Sequence, residues 1–289
     1  MPIDYETVRD CASALYWRAL IDLPEDVMAR LRAALDDESD PGARSVIESM
    51  IENAEIAGAE GELICQDTGF PVFFVEMGRD CSLDFDLEEA LSDGVSMATR
   101  EHLLRANCVD VLTRENTGTN RGEGYPIVHL NSGEGSSLNV ILLAKGSGSE
   151  SRSRMAMVDP VEGWAGIRRY ILETVALGAA KSCPPVVVGV GIGGSFDSVA
   201  LLSKRALTRP LGVSNREPRL ASLERDLLKS INELGIGPMG LGGDSTALWV
   251  SLEREDTHIT CSPVSVNLSC WAHRRAAARI DEGGFEVMG

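Results

Sequence analysis

A run of reactive side chains occupies residues 65–69, which read Cys-Gln-Asp-Thr-Gly. The run lies between a long helical pattern and an apolar stretch, and it sets a thiol beside an amide and a carboxylate. A hydroxyl follows, and then a glycine that permits a tight turn of the main chain. A free cysteine is often only a small buried hydrophobe, so the five residues alone leave a reactive site and simple core packing both open.

Three of the seven cysteines share a distinctive setting. Cys65, Cys183 and Cys270 each lie at the boundary of a loop or element, next to glycine, proline or a helix start. Three thiolates can hold an iron–sulfur cluster and leave one iron without a protein ligand, and such an iron can act as a Lewis acid on a substrate hydroxyl or carboxylate. The spacing leaves this cluster as one possibility among several. The other cysteines are Cys11, Cys81 and Cys108, which we interpret as structural, and Cys261, which is ambiguous.

A glycine pattern resembling a nucleotide loop begins within the strand pattern of residues 186–191. Gly189, Gly191 and Gly194 fit G-x-G-x-x-G between a predicted strand and a predicted helix, which is typical of dinucleotide-binding dehydrogenases. That interpretation also requires an acidic residue at the end of a second strand about 20 residues later. Residues 210–215 instead read Pro-Leu-Gly-Val-Ser-Asn, with no apolar strand before them. We therefore expect these glycines to serve close backbone packing and anion contact near Cys183, with nucleotide binding as the alternative.

Hydrophobic periodicity and turn residues predict the elements that must position these groups. Helical patterns cover most of residues 1–60, 86–107, 161–181, 196–207 and 216–234, and a last helix begins at 270. Strand patterns cover residues 72–77, 126–130, 138–144, 186–191, 246–252 and 258–268, and the second and third of these are predicted to form a hairpin. With no internal repeat or linker, we predict a single large α+β domain over residues 1–289, helix-rich with a mixed or antiparallel sheet.

Composition restricts the class of protein. A chain of 289 residues that is 44% hydrophobic can bury a large core, and its apolar runs are too short to span a membrane. A formal net charge of -17 argues against nucleic-acid binding, which needs clustered cations. The start lacks the features of a signal peptide, the cysteine count is odd, and no C-x-x-C pair supports a zinc site. We expect a cytoplasmic protein with reduced thiols.

Six segments in order resemble the α region of class I fumarases and L-tartrate dehydratases, and together they cover nearly the whole chain. They are residues 65–69, 113–120, 145–150, 189–194, 235–243 and 266–275. The resemblance implies an oxygen-sensitive hydro-lyase with a 4Fe–4S cluster. By motif position, the three cysteine ligands of that cluster correspond to Cys65, Cys183 and Cys270.

The resemblance also implies which side chains face a dicarboxylate substrate. These residues are Gln66, Asp67, Arg105, Gly148 and His258, with Asp67 and His258 taking part in catalysis. The chemistry suits these roles, because an arginine forms a fork for a carboxylate, glutamine and histidine donate hydrogen bonds, and an aspartate can move a proton. From the residues alone, Arg105 could equally be a solvated helix residue, and His258 a satisfied histidine at a strand end.

Two departures from the family pattern affect the expected function. Ser151 stands where the loop of the family usually has asparagine. The single-chain fumarases continue into a β domain that supplies the catalytic base, and the resemblance therefore implies a separate β-type subunit and a hetero-oligomer here. The expected reaction is reversible hydration or dehydration of a small 2-hydroxy dicarboxylate, malate to fumarate or tartrate to oxaloacetate. The alternative is a non-catalytic iron–sulfur protein that senses redox state or binds a partner on the same scaffold.

Overall fold

Three α-helices precede the first strand and four strands follow the last α-helix in the computed structural model, which describes residues 3–288. The helices are α1 (Tyr5–Ile21), α2 (Glu25–Asp37), α3 (Pro41–Glu60), α4 (Leu87–Glu101), α5 (Ser147–Glu150), α6 (Gly163–Gly178), α7 (Phe196–Ala206) and α8 (Pro218–Asn232). The strands are β1 (Phe70–Gly78), β2 (Ile127–Gly133), β3 (Leu138–Lys145), β4 (Arg154–Met157), β5 (Val186–Gly194), β6 (Ala247–Thr257), β7 (Pro263–Ser269), β8 (Arg275–Asp281) and β9 (Gly284–Met288). The predicted α+β class is confirmed.

Main-chain contacts divide the described residues into two compact units, each assembled from segments that are separated in sequence. Unit 1 contains the described residues up to Pro24, the segment Ala54–Gly146, and the described residues from Arg274 onward. Unit 2 contains Glu25–Asn53 and Ser147–His273. The chain passes from one unit to the other after Pro24, Asn53, Gly146 and His273. The assignment of residues 1–289 to one hydro-lyase domain stays a prediction.

The sheet of unit 1 has the strand order β2-β1-β3-β8-β9. β1 pairs parallel with β2 and antiparallel with β3, and the pairings of β3 with β8 and of β8 with β9 are antiparallel. Consecutive residues of β1 from Pro71 to Val75 are buried, so both faces of the strand are covered, which suits a position inside the sheet. The predicted hairpin of residues 126–130 with 138–144 is wrong, because β1 lies between β2 and β3.

Helices α1 and α4 pack against each other and share the core of unit 1. Leu15 of α1 and Leu91 of α4 belong to the same buried cluster as Phe73 of β1. A Cβ atom at Gly94 of α4 would lie 2.3 Å from the main-chain carbonyl oxygen of Arg9, closer than any carbon can approach. Glycine at this position therefore allows the two helices to come close together.

The sheet of unit 2 has the strand order β4-β7-β5-β6. β5 is parallel to β6 and antiparallel to β7, and β4 is antiparallel to β7, so this sheet is mixed as well. Val188 and Val190 of β5 share a buried core with Ile171 of α6 and Leu227 of α8. The apolar run of β5 is thus covered by helices, as expected for a buried strand.

The glycines of residues 189–194 bring helix α7 against the main chain of β5. A Cβ atom at Gly189 would lie 2.2 Å from the carbonyl oxygen of Ser203, and one at Gly191 would lie 2.6 Å from that of Val199. Close backbone packing is therefore confirmed. The expected anion contact near Cys183 is wrong, because this run ends β5 whereas Cys183 precedes its first residue.

The last predicted helix is replaced by strands. The chain from residue 275 forms β8 and β9, and β8 pairs with β3. Ala276, Ala278 and Ile280 are buried in alternation with more exposed neighbours, which is the period of a strand rather than of a helix. No helix among residues 3–288 is both long enough and apolar enough to cross a membrane.

Candidate active site

Three loops meet at one end of the unit 2 sheet. The parallel pairing of β5 with β6 places their first residues together, and the antiparallel pairing of β7 with β5 places the last residue of β7 at the same end. Cys183 lies just before β5, Cys270 lies just after β7, and the glycine-rich residues 235–243 precede β6. The strand order of the sheet therefore collects two of the three predicted cluster ligands.

Cys183 and Cys270 are joined through the main chain. The N–H of Trp271 donates a hydrogen bond of 3.1 Å to the carbonyl oxygen of Cys183. Cys183 is exposed and Cys270 is partly exposed, and neither forms a disulfide. The Sγ of Cys270 lies 3.5 Å from the carbonyl oxygen of Ala272, a weak contact for a thiol donor.

The main chain at Cys183 is held in an unfavourable conformation. Its φ angle is 50°, in the left-handed region that glycine adopts without penalty and residues with a Cβ atom avoid. The next residue is fixed by the glycine-rich loop, because the N–H of Met239 donates to the carbonyl oxygen of Pro184 over 2.8 Å. Strained conformations of this kind persist where the surroundings over-determine them, and they concentrate at functional sites.

A buried carboxylate holds the end of the glycine-rich loop. Glu38, between α2 and α3, is 3% exposed and accepts hydrogen bonds from the main-chain N–H groups of Asp244 at 2.9 Å and Ser245 at 3.1 Å. A Cβ atom at Gly237 would lie 1.8 Å from the carbonyl oxygen of Gly242, so the loop folds back on itself where only glycine fits. Sequence reasoning missed Glu38, because nothing in its neighbourhood points to a partner 206 residues away.

A buried histidine fixes the turn that carries Cys270. The Nε2 of His273 lies 2.8 Å from the carbonyl oxygen of Leu207, and its Nδ1 lies 2.9 Å from the Oγ of Ser269. Because a carbonyl oxygen only accepts, Nε2 is the donor, and a neutral ring then accepts from the serine hydroxyl at Nδ1. The ring therefore links Ser269 and His273, on either side of Cys270, and anchors this turn to Leu207.

The predicted substrate-facing glycine lies in the short helix α5. Gly148 is exposed, and a Cβ atom there would meet nothing closer than the carbonyl oxygen of Lys181 at 3.9 Å. The hydroxyl of Ser151 donates to the carbonyl oxygen of Gly148 over 3.0 Å. Ser151, which stands where the resembling family usually has asparagine, thus donates a hydrogen bond within the loop that contains Gly148.

In unit 1, the run 65–69 changes from exposed to buried along its length. Cys65 and Gln66 are exposed, Asp67 is half-buried, and Thr68 is fully buried. Gly69 has a φ of 72°, and its N–H donates to the Oδ1 of Asp67 over 2.9 Å. The run is therefore a turn that exposes its thiol and amide while the carboxylate is held by the main chain.

Thr68 connects Asp67 to Arg105. Its hydroxyl donates to the main-chain carbonyl oxygen of Arg105 over 2.9 Å and accepts a hydrogen bond of 2.6 Å from the side-chain amide of Asn107. Because α4 ends at Glu101, Arg105 lies in a loop with an exposed side chain, and it is not the solvated helix residue of the alternative interpretation. The structure thus brings together two predicted site residues of unit 1.

Buried side chains surround this turn, and sequence reasoning missed their role. Arg274 is 2% exposed, its guanidinium donates to the carbonyl oxygen of Asp67, and its Nε has no hydrogen-bond partner within the described structure. The hydroxyls of Tyr16 and Tyr125 donate to the carbonyl oxygens of Thr68 at 3.2 Å and Gly69 at 3.1 Å. Burial raises the pKa of Tyr16 from 10.0 to about 12 and also raises the pKa of Tyr125, so both remain donors at neutral pH.

His258 lies at the other end of the unit 2 sheet from Cys183. It follows the last residue of β6, at the end where Gly194 pairs with Thr257. The nine residues of β5 separate the two ends, which at about 3.3 Å per residue is on the order of 30 Å. His258 is exposed, and its Nδ1 lies 2.8 Å from the hydroxyl of Thr260 in the same turn. Unit 2 therefore does not bring His258 to the predicted ligands Cys183 and Cys270.

The donor chemistry of the predicted ligands suits an iron–sulfur cluster. None of the seven cysteines forms a disulfide, and soft thiolates are the ligands that such clusters use. Among residues 3–288, no group of three or more His, Cys, Asp or Glu side chains could hold a metal ion. A cluster makes a different demand from a single ion, because each thiolate binds a different iron and the sulfurs stand farther apart.

Comparison with known proteins gives a consistent result. Residues 9–279 match the family described as fumarate hydratase (Fumerase). A protein of Methanocaldococcus jannaschii, named provisionally as L(+)-tartrate dehydratase subunit alpha, is 41% identical over 277 residues, which are 94% of this chain and 97% of the relative. The L(+)-tartrate dehydratase subunit alpha of Escherichia coli is 35% identical over 261 residues, 89% and 86% of the two chains. That of Shigella sonnei is 35% identical over 256 residues, 88% and 84%.

Proposed function

The chain belongs to the fumarate hydratase (Fumerase) family, and on that premise we propose that it is the α-type subunit of an iron–sulfur hydro-lyase. The proposed reaction is reversible addition or removal of water on a small dicarboxylate, either malate and fumarate or L-tartrate and oxaloacetate. The observation that carries the proposal is the adjacency of Cys183 and Cys270, within a chain that matches the family over residues 9–279.

Three cysteines are the proposed ligands of a 4Fe–4S cluster. Cys65, Cys183 and Cys270 would hold it, and when bound it supplies Lewis-acid chemistry that makes the substrate hydroxyl a better leaving group. The absence of a disulfide at all three supports this role, as does the strained main chain at Cys183. The absence of disulfides among the seven cysteines also supports a reducing compartment, and we place the protein in the cytoplasm.

The other proposed site residues bind and orient the dicarboxylate. The exposed guanidinium of Arg105 would form a fork with one substrate carboxylate, and the exposed amide of Gln66 would donate to the substrate. Asp67, whose carboxylate is held by the N–H of Gly69, would take part in proton movement. The exposed main chain at Gly148 allows close approach of a substrate. His258 is left out of this set, because β5 separates it from Cys183.

A second chain is the proposed source of the base that removes the carbon-bound proton. The Escherichia coli and Shigella sonnei relatives are named as alpha subunits, which supports a hetero-oligomer with a separate β-type subunit. Activation of the leaving group and removal of the proton would then come from different chains, so neither chain alone completes the reaction.

Anaerobic purification with and without a β-type chain from the same genome tests the proposal. The chain alone should bind iron and sulfide and show broad visible absorption, with little conversion of malate, fumarate or L-tartrate. The two chains together should convert at least one of these acids, and the pair of assays identifies the preferred substrate. Full turnover by the isolated chain would refute the two-subunit arrangement. A loaded complex inactive on all the acids would point instead to the non-catalytic interpretation.

A further inference from the structure

The side-chain amide of Asn107 contacts the turn that carries Asp67. Its Nδ2 donates a short hydrogen bond of 2.6 Å to the Oγ1 of Thr68 and lies 3.4 Å from the Oδ1 of Asp67. An –NH2 group has two hydrogens, so one amide can serve both acceptors. The same Oδ1 accepts from the N–H of Gly69 at 2.9 Å, so two donors fix one oxygen of the Asp67 carboxylate.

Asn107 is in turn fixed by a second amide. The main-chain N–H of Asn107 donates to the Oδ1 of Asn120 over 2.6 Å, and the Nδ2 of Asn120 donates to the carbonyl oxygen of Arg105 over 3.1 Å. Asn120 is fully buried, so these hydrogen bonds are shielded from water. The hydroxyl of Thr68 donates to the same Arg105 carbonyl oxygen over 2.9 Å. One network therefore runs from the Asp67 carboxylate to the main chain of Arg105.

We infer that Asn107 is a positioning residue, which sets the Asp67 carboxylate at a defined place relative to Arg105. This inference rests on the proposed function, in which these two residues act on one dicarboxylate. A carboxylate that could rotate would present its oxygens to the substrate in many directions, and misplacement by about 1 Å can lower a rate roughly 100-fold. Asn107 removes that freedom through its contacts with Thr68 and Asp67.

The variant Asn107→Asp separates positioning from simple packing. Aspartate has nearly the volume of asparagine, so it preserves packing, but as a carboxylate it has no hydrogen to donate to Thr68 or Asp67. In the complex with the β-type chain, we expect the KM for the dicarboxylate to rise and kcat/KM to fall roughly 10- to 100-fold per loaded cluster. Asn107→Ala should show a similar loss. The control is Asn131→Asp, which adds the same charge at an exposed position on β2.

Hydrogen exchange gives a readout that needs neither a cluster nor a partner. The N–H of Gly69 is protected by its hydrogen bond to Asp67, and a loosened carboxylate should expose it. In the chain alone, we expect faster exchange in a peptide covering residues 65–70 for Asn107→Asp, with unchanged exchange in peptides of the unit 1 core. Asn131→Asp should match the unaltered chain throughout.

The outcomes distinguish this inference from the proposed function. Unchanged exchange at residues 65–70 together with an unchanged KM would overturn the positioning role. Faster exchange across all of unit 1, with a lower kcat and an unchanged KM, would show a merely structural residue and would overturn it as well. If the unaltered complex is inactive on every acid tested, the proposed function fails, and the exchange measurement still decides whether Asn107 holds the turn.

Discussion

The main-chain N–H of Trp271 donates a hydrogen bond of 3.1 Å to the carbonyl oxygen of Cys183. This contact ties the loop before β5 to the turn after β7, and it makes neighbours of two cysteines that are distant in sequence. Both cysteines are at least partly exposed. Solvent access is a condition that a cluster ligand must meet, so this exposure is compatible with the proposed role.

Removal of the Cys183 thiol should abolish cluster binding. The variant Cys183→Ala leaves two of the three proposed thiolate ligands, which should not retain a four-iron cluster. Iron and sulfide per chain, with the visible absorption after anaerobic reconstitution, provide the measurement. Cys81→Ala is the matched control, because Cys81 is half-buried and burial raises the pKa of its thiol, which disfavours the thiolate. A full cluster in Cys183→Ala would show that the ligand assignment is wrong.

The strain at Cys183 predicts that two variants without the thiol differ in stability. Glycine adopts a φ of 50° freely, whereas alanine keeps the Cβ atom that makes this conformation unfavourable. In the metal-free chain, Cys183→Gly should therefore be more stable than Cys183→Ala by about 1 kcal/mol. Urea unfolding of the two variants measures the difference. Equal stability would mean that the main chain at this position relaxes without penalty.

The sequence predicted the local features of the site better than its long-range contacts. The class α+β and the position of Cys65 and Cys183 at loop boundaries follow from patterns within short windows of sequence. Strand order does not follow from such patterns. The pairing of β1 with both β2 and β3 depends on segments that are far apart in sequence, which a local pattern cannot relate. The predicted hairpin failed for this reason.

The side chains that hold the predicted site residues in place were missed because their partners are also distant in sequence. Asn107 contacts Asp67 from 40 residues away, Glu38 contacts Asp244 from 206, and Arg274 contacts Asp67 from 207. Each is an ordinary polar residue in its own neighbourhood, and only the folded chain reveals its partner. The family resemblance assigns His258 and Cys183 to one site, but the parallel pairing of β5 with β6 places them at opposite ends of the sheet.

Close packing of α7 on β5 makes Gly189 intolerant of a side chain. A Cβ atom there would meet the carbonyl oxygen of Ser203 at 2.2 Å, so Gly189→Ala should lower the free energy of unfolding by about 1–3 kcal/mol. Gly58→Ala is the control, because this exposed helical glycine would make only an ordinary 3.6 Å contact with Asp22. It should raise stability by about 0.5–1 kcal/mol.

Thermal or urea unfolding of both glycine variants tests this prediction, and titration with a nicotinamide dinucleotide tests the alternative role of the same glycines. We expect no binding of the dinucleotide by the unaltered chain. If Gly189→Ala is as stable as the unaltered chain, α7 can move away from β5. Saturable dinucleotide binding would support the nucleotide interpretation.

The buried phenol of Tyr16 predicts a loss of stability at high pH. Burial raises its pKa from 10.0 to about 12, so between these values the folded chain keeps a proton that the unfolded chain releases. The unfolded state is then favoured as pH rises, with a total loss of roughly 2–3 kcal/mol from this residue once pH exceeds about 12. Below pH 10 both states keep the proton, so the contribution of Tyr16 to the free energy of unfolding does not change with pH.

Tyr16→Phe isolates this effect, because other groups titrate equally in both proteins. At pH 8 the variant should be less stable by about 1 kcal/mol, since it lacks the hydrogen bond of 3.2 Å to the carbonyl oxygen of Thr68. As pH rises from 10 toward 11.5, the difference should shrink and then change sign, because only the unaltered chain must keep a buried phenol protonated. Urea unfolding at intervals from pH 8 to 11.5 measures the difference. A constant gap over that range would mean that Tyr16 ionises as readily in the folded chain as in the unfolded one.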